Sequence, residues 1–113
     1  MGYSKYRAKK TVVDGITFDS KAEARHYQEL KLLERAGLIK ELELQPKYEL
    51  QPSFKKNGKT VRAINYVADF RYFDVRENKT IVVDVKGMKT PVYELKKKMV
   101  EYRYGVDIKE VRG

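Results

Sequence analysis

The 113-residue chain has no cysteine, which excludes disulfides and thiolate metal sites and fits a reducing cytoplasm, the compartment expected for it. A single histidine, His26, cannot build a His-rich zinc centre, and no serine–histidine pairing is visible for nucleophilic catalysis. No apolar run approaches the ~18 residues of a membrane span. The N-terminus is basic but lacks the apolar core of a signal peptide, so no membrane partner is expected. No internal repeat or low-complexity linker interrupts the chain. Acid is scarce beside base: 16 Asp+Glu stand against 25 Lys+Arg, a net charge of +9. That balance favours a polyanionic partner such as nucleic acid, or an anionic surface. The length suits one domain with one real core.

Residues 1–10 carry Lys5, Arg7, Lys9 and Lys10 without an acid and read as a basic flexible arm. Tyr3 and Tyr6 offer stacking surfaces there. Residues 11–113 form the single folded domain. Thr11–Phe18 reads as a hairpin closed by Asp14-Gly15. Ser20-Lys21-Ala22-Glu23 is a capping box that starts a helix running to about Ala36 and stopped by Gly37. Its inner face is Ala24, Tyr27, Leu30 and Leu33, and Glu23 lies on the same stripe. Leu38–Gln51 alternates as one long strand bent at Pro46, with Leu42, Leu44, Tyr48 and Leu50 on one face and Gln45 on the other. Pro52–Thr60 reads as a loop around Asn57-Gly58. Val61–Val75, apolar on both faces, reads as a central strand, and Thr80–Lys86 as its partner. Thr90 caps a second helix with Pro91 in its first turn, an apolar stripe of Val92, Leu95, Met99 and Tyr102, and Gly105 at its end. Val106–Val111 is the last strand. The class is α/β (α+β): a central, mostly antiparallel mixed sheet flanked by two helices and preceded by a short hairpin.

Three charges stand inside these apolar strands. Asp69 interrupts Tyr66-Val67-Ala68-Asp69-Phe70-Arg71-Tyr72-Phe73, and Asp84 and Lys86 end Ile81-Val82-Val83-Asp84-Val85-Lys86. Unpaired buried charge is costly, so each needs a partner, either another side chain or a metal ion. Strand parity puts Asp84 and Lys86 on one face. A hairpin symmetric about Glu77-Asn78 sets Asp69 opposite Lys86 and diagonal to Asp84. Two carboxylates so placed suit a hard divalent ion such as Mg²⁺. The bland alternative pairs Asp69 with Lys86 or Arg71 and leaves Asp84 as a strand-end acid.

The spacing Asp69-X14-Asp84-X-Lys86, preceded by a helical Glu23, resembles the PD-(D/E)XK nuclease superfamily. The order helix, three strands, helix, strand is similar to that family's restriction-endonuclease-like core over roughly residues 18–111. In finer detail the chain resembles small phage-encoded uncharacterised members, with compact Holliday-junction resolvases as distant relatives. Ala68 stands where the motif's proline would be, and Asp84 where glutamate is commoner. The resemblance implies a Mg²⁺-dependent DNA endonuclease, with Mn²⁺ able to substitute. Such an enzyme would hydrolyse phosphodiester bonds, either selectively in branched DNA or as a nicking enzyme, in the host-cell cytoplasm if phage-encoded. It implies Asp69 and Asp84 as metal ligands, Lys86 as the catalytic lysine and Glu23 as the helical acid completing the site. The capping box explains Glu23 equally well. A homodimer follows from the need for paired cuts.

Basic residues outside the motif suit DNA phosphates: Lys55, Lys56, Lys59 and Arg62 around the 52–60 segment, Lys89 after the lysine strand, and Lys96 on the second helix. Gln45 is a further polar candidate, whereas His26 reads as a solvated helix residue. A protein that binds nucleic acid or a host factor without cleaving is the rival reading of the same features.

Overall fold

The computed structural model describes residues 10–86 and 88–113. The basic arm expected over residues 1–10 lies outside these, save Lys10. Thr11–Val13 (β1) and Ile16–Phe18 (β2) form the N-terminal hairpin, with Asp14 and Gly15 at positive φ in its turn. Helix α1, Lys21–Arg35, starts at Ser20, whose hydroxyl accepts the Glu23 backbone N–H at 3.1 Å. It buries Ala24, Tyr27 and Leu30. Leu33, expected on that face, is 38 % exposed, because the stripe drifts off the sheet in the last turn.

The long strand expected over 38–51 is two strands in two sheets. Ile39–Leu44 (β3) belongs to the central sheet; Lys47–Gln51 (β4) does not. The expected 52–60 loop is a ribbon, Phe54–Lys56 (β5) with Lys59–Val61 (β6), turned by Asn57-Gly58 at positive φ. The expected strand 61–75 is likewise broken, into β6, Ile64–Val67 (β7) and Phe70–Asp74 (β8). Lys79–Lys86 (β9), helix α2 at Pro91–Tyr104 and Asp107–Arg112 (β10) complete the chain. The central sheet has the order β10-β9-β8-β3, antiparallel except for the parallel pair β9–β10 that α2 connects.

Both breaks come from one bend. β3 pairs with β8 and β4 with β7, so residues 39–51 and 64–74 form one antiparallel ribbon folded at its middle. Gln45 takes φ 52° and Pro46 cannot donate a ladder hydrogen bond, so the ladder is interrupted there. Opposite, Ala68 N–H donates to Pro46 C=O at 3.1 Å and Gln45 N–H to Asp69 C=O at 2.9 Å. Asp69 sits at the corner. One half of the ribbon extends the sheet; the other folds over its α2 face.

The sheet therefore has two cores. Phe18, Ala24, Tyr27, Leu30, Phe70, Tyr72 and Val83 fill the α1 side. Tyr48, Leu50, Tyr66, Ala68, Val82, Tyr93, Val100 and Ile108 fill the other. Leu42 and Leu44 thus part from Tyr48 and Leu50, contrary to their expected common face. A bulge between Lys40 and Glu43, with Glu41 at φ 58°, keeps Ile39, Leu42 and Leu44 turned toward α1.

Helix α2 is rotated from expectation. It buries Tyr93 and Val100, and the stripe Val92, Leu95, Met99 and Tyr102 faces outward, Tyr102 at 93 % exposure. Its inner side docks by long polar side chains onto the ribbon's carbonyls. Lys96 Nζ donates to Asn65 C=O at 2.9 Å, Arg103 to Leu50 C=O at 2.6 Å, and Tyr104 Oη to Glu49 C=O at 2.6 Å. The stems of such residues cover apolar surface while their tips find acceptors, which an apolar-period count does not register. By chemical denaturation, Leu30→Ala is expected to cost about 2–5 kcal/mol. Leu33→Ala and Leu95→Ala should each stay within about 0.5 kcal/mol.

Candidate functional site

Asp69 is held at the corner by three backbone bonds. Its N–H donates to Val83 C=O at 3.0 Å, its C=O accepts from Gln45, and its Oδ2 accepts Val85 N–H at 2.6 Å. The bend takes the backbone away from β9, and the Asp69 side chain takes up the Val85 donor that the ladder leaves behind. Register places the acid in line with Asp84. Phe70 pairs with Val83 and Asp74 with Lys79, the turn being Val75–Asn78 with Asn78 at φ 57°. The hairpin expected about Glu77-Asn78 is thus shifted by two residues, so Asp69 does not lie opposite Lys86. A two-residue shift keeps side-chain parity, and Asp84 and Lys86 stay on one face.

Asp84 is 3 % exposed. Tyr66 donates its hydroxyl to Asp84 Oδ2, and Lys86 Nζ stands 3.3 Å from Oδ1. Lys86 Nζ also lies 4.3 Å above the Tyr93 ring, a cation–π contact. Tyr93 in turn donates its hydroxyl to Glu110 at 2.7 Å. Burial and the bond to Asp84 push the Tyr66 hydroxyl far above the usual tyrosine range. The Lys89 and Tyr93 hydrogen bonds hold Glu110 below the usual carboxylate range.

Glu23 lies across a cavity of about 110 Å³ whose wall includes Phe18, Asp19, Glu23, Gln45, Asp69 and Phe70. Burial raises the Asp69 carboxyl to about 7; Glu23 and Asp84 add to the rise, and the Val85 N–H and Lys86 act against it. Burial also raises Glu23, with Asp19 and Asp84 adding. The three acids therefore feel one another, and Lys86 is the cation acting on both Glu23 and Asp69. The capping geometry of Ser20 and the cavity position of Glu23 coexist.

A divalent ion fits this donor set in part. Asp69 and Asp84 supply hard oxygens in the number Mg²⁺ commonly takes from protein, and an ion between them would relieve carboxylate repulsion. Among the described residues, however, no group of three or more His, Cys, Asp or Glu side chains is arranged to hold a metal ion, so Glu23 is coupled to the pair without completing a three-acid cage.

The other sequence candidates scatter. Gln45, expected on the outer strand face, is turned by its positive φ into the cavity wall. Lys96 is tied to the Asn65 carbonyl. Lys55, Lys56, Lys59 and Arg62 are exposed on or beside the β5–β6 ribbon, which packs chiefly on itself. Lys89 pairs with Glu110 at 2.9 Å. His26, expected in solvent, has a side chain only 12 % exposed, lying against Phe70 with Nδ1 3.3 Å from Glu29. Sequence reasoning missed Tyr66, Tyr93 and Glu110. For Tyr66 strand parity misled: a continuous strand sets it on the face opposite Asp69, and only the bend, which parts Ala68 from Phe70 into different cores, turns it to Asp84. Tyr93 was hidden by the stronger apolar stripe beside it.

The fold and site define a mixed α+β domain with a buried carboxylate–lysine cluster at a sheet corner. Residues 3–112 match the model of a family described as "Protein of unknown function (DUF1064)", and the chain belongs to that family. No curated protein and no solved structure matches it. Among the described residues no helix is long and apolar enough to cross a membrane.

Proposed function

We propose that the protein is a Mg²⁺-dependent endonuclease acting on DNA, with a restriction-endonuclease-like core. The observation that carries this reading is the buried Asp84. It is clasped by Tyr66 and Lys86 and electrostatically coupled to Asp69 and Glu23, a local excess of acid in a chain of net charge +9. A bound Mg²⁺ would polarise the phosphodiester and lower the pKa of its water. The chain's own residues do the rest. Tyr66 orients Asp84, the Val85 N–H orients Asp69, and Lys86, braced by Asp84 and the Tyr93 ring, stabilises charge developing on the phosphate. A small basic domain has little room for a sequence-reading module, so the substrate is selected by shape: branched DNA, as in a resolvase-like phage enzyme working as a homodimer.

The test is a panel of duplex, flap, four-way-junction and single-stranded DNA with Mg²⁺ or Mn²⁺. Wild type should cleave at least one substrate and Asp69→Asn none. Equal cleavage by the two, or none by wild type, sinks the reading. The second reading is nucleic-acid binding without cleavage. It is favoured by the full set of protein partners around Asp84, and uncleaved but tightly bound DNA would support it.

A further inference from the structure

Beside Lys86, an open cavity of about 450 Å³ is lined by Lys86, Met88, Lys89, Glu110, Val111 and Arg112. It lies at the C-terminal ends of the parallel strands β9 and β10. Their register sets Glu110 beside Asp84 and Arg112 beside Lys86, so acid lies beside acid and, one step along the same face, base beside base. The acid row is neutralised. Asp84 has Lys86 and Tyr66, while Glu110 has Lys89 at 2.9 Å, Tyr93 at 2.7 Å and Lys97 at 3.9 Å. In the base row Lys86 is spoken for by Asp84, and Arg112 is left over. Among the described residues Arg112 has no acidic partner, though it stands beside Lys86 and close enough to Lys89 to disfavour that ammonium's charge. Like charges side by side on one sheet face are destabilising unless an anion joins them.

We infer that this cavity binds a backbone phosphate of a polynucleotide, with Arg112 as its principal donor and Lys86 and Lys89 beside it. A planar guanidinium matches phosphate oxygens bidentately, and the flanking ammonium groups act as point charges. A strand seated there would run past Lys86 toward Asp84, so the site would hold a phosphate next to the one proposed to be cleaved. The inference rests on the polynucleotide half of the proposed function and not on cleavage, which allows the two to fail separately.

The experiment is fluorescence anisotropy of a labelled single-stranded and a labelled duplex oligonucleotide in EDTA, over a salt series. Arg112→Gln should weaken binding severalfold and flatten the slope of log K against log salt by about 0.7–0.9, one phosphate contact. Arg112→Lys should keep most of that slope. Lys109→Gln removes the same charge from the opposite face of β10 and should change the slope far less. Equal slopes for Arg112→Gln, Lys109→Gln and wild type would overturn the inference. So would an Arg112 effect seen on phosphatidylserine vesicles but not on oligonucleotides. Binding that depends on Arg112 in a protein that never cuts DNA would uphold this site and remove the nuclease reading.

Discussion

Asp84→Asn and Lys86→Ala should each abolish most Mg²⁺-dependent cleavage. Asp84→Asn should leave DNA binding in EDTA nearly intact, whereas Lys86→Ala, at a residue that also lines the phosphate cavity, should weaken it modestly. Asparagine keeps the size of Asp84 and an oxygen for Tyr66, so the fold survives, but it removes the negative charge a divalent ion needs. Losing a charge that acts only as the transition state forms costs on the order of 10²–10³ in rate. Removing a group that transfers a proton costs on the order of 10²–10⁴. Single-turnover cleavage with saturating protein isolates the step. Thermal unfolding of the variants controls for Asp84→Asn weakening the clasp on Lys86. Tyr66→Phe should fall between wild type and these variants, because it frees one carboxylate oxygen without altering charge. A variant of Asp84 or Lys86 that cuts as fast as wild type would assign this cluster to structure alone.

Asp69→Asn should do two opposite things: stop cleavage, and stabilise the metal-free protein at neutral and higher pH. The sign follows from the shift. The folded protein holds the Asp69 proton up to about 7, whereas the unfolded chain releases it near 3.8. Between those values the native state binds more protons, so this residue's contribution to stability is largest below about pH 4 and is lost as pH rises to 7. Asparagine carries no charge to desolvate and still offers an oxygen to Val85 N–H. The difference between wild-type and Asp69→Asn unfolding free energies in EDTA should therefore grow from pH 4 to pH 7 and level above it. Taking the difference matters because His26 opposes the trend. Burial lowers its pKa, so its own contribution rises with pH toward 6.5. Adding Mg²⁺ should then stabilise wild type above pH 7 and leave Asp69→Asn unmoved. A flat difference curve would mean that solvent reaches the carboxyl. No response to Mg²⁺ would remove the ion from the site.

Much of the local structure was legible because local chemistry decides it. Ser20 and Thr90 cap their helices, Gly105 ends the second at φ 66°, and Asp14-Gly15 and Asn57-Gly58 turn their hairpins. Each is set by residues within a few positions. Strand parity likewise put Asp84 and Lys86 on one face, whatever the turn register. The two-residue register error came from the turn. A symmetric two-residue closure about Glu77-Asn78 competes with the observed four-residue turn, where Asp74 accepts the Asn78 N–H at 2.8 Å and the Glu77 N–H at 2.9 Å.

By itself, then, the sequence determined the helices, their caps, the hairpin turns and the parity of the charged pair. Only the tertiary structure decided which side of α2 faces inward, where the long ribbon bends, and what surrounds the charges. Those choices rest on partners far apart in the chain: Tyr66 with Asp84, Tyr93 with Glu110, Pro46 with Ala68, Lys96 with Asn65. A periodic pattern ranks residues by polarity along one segment. A lysine or tyrosine whose stem is buried and whose tip finds an acceptor on another strand is ranked by geometry that the segment alone does not contain.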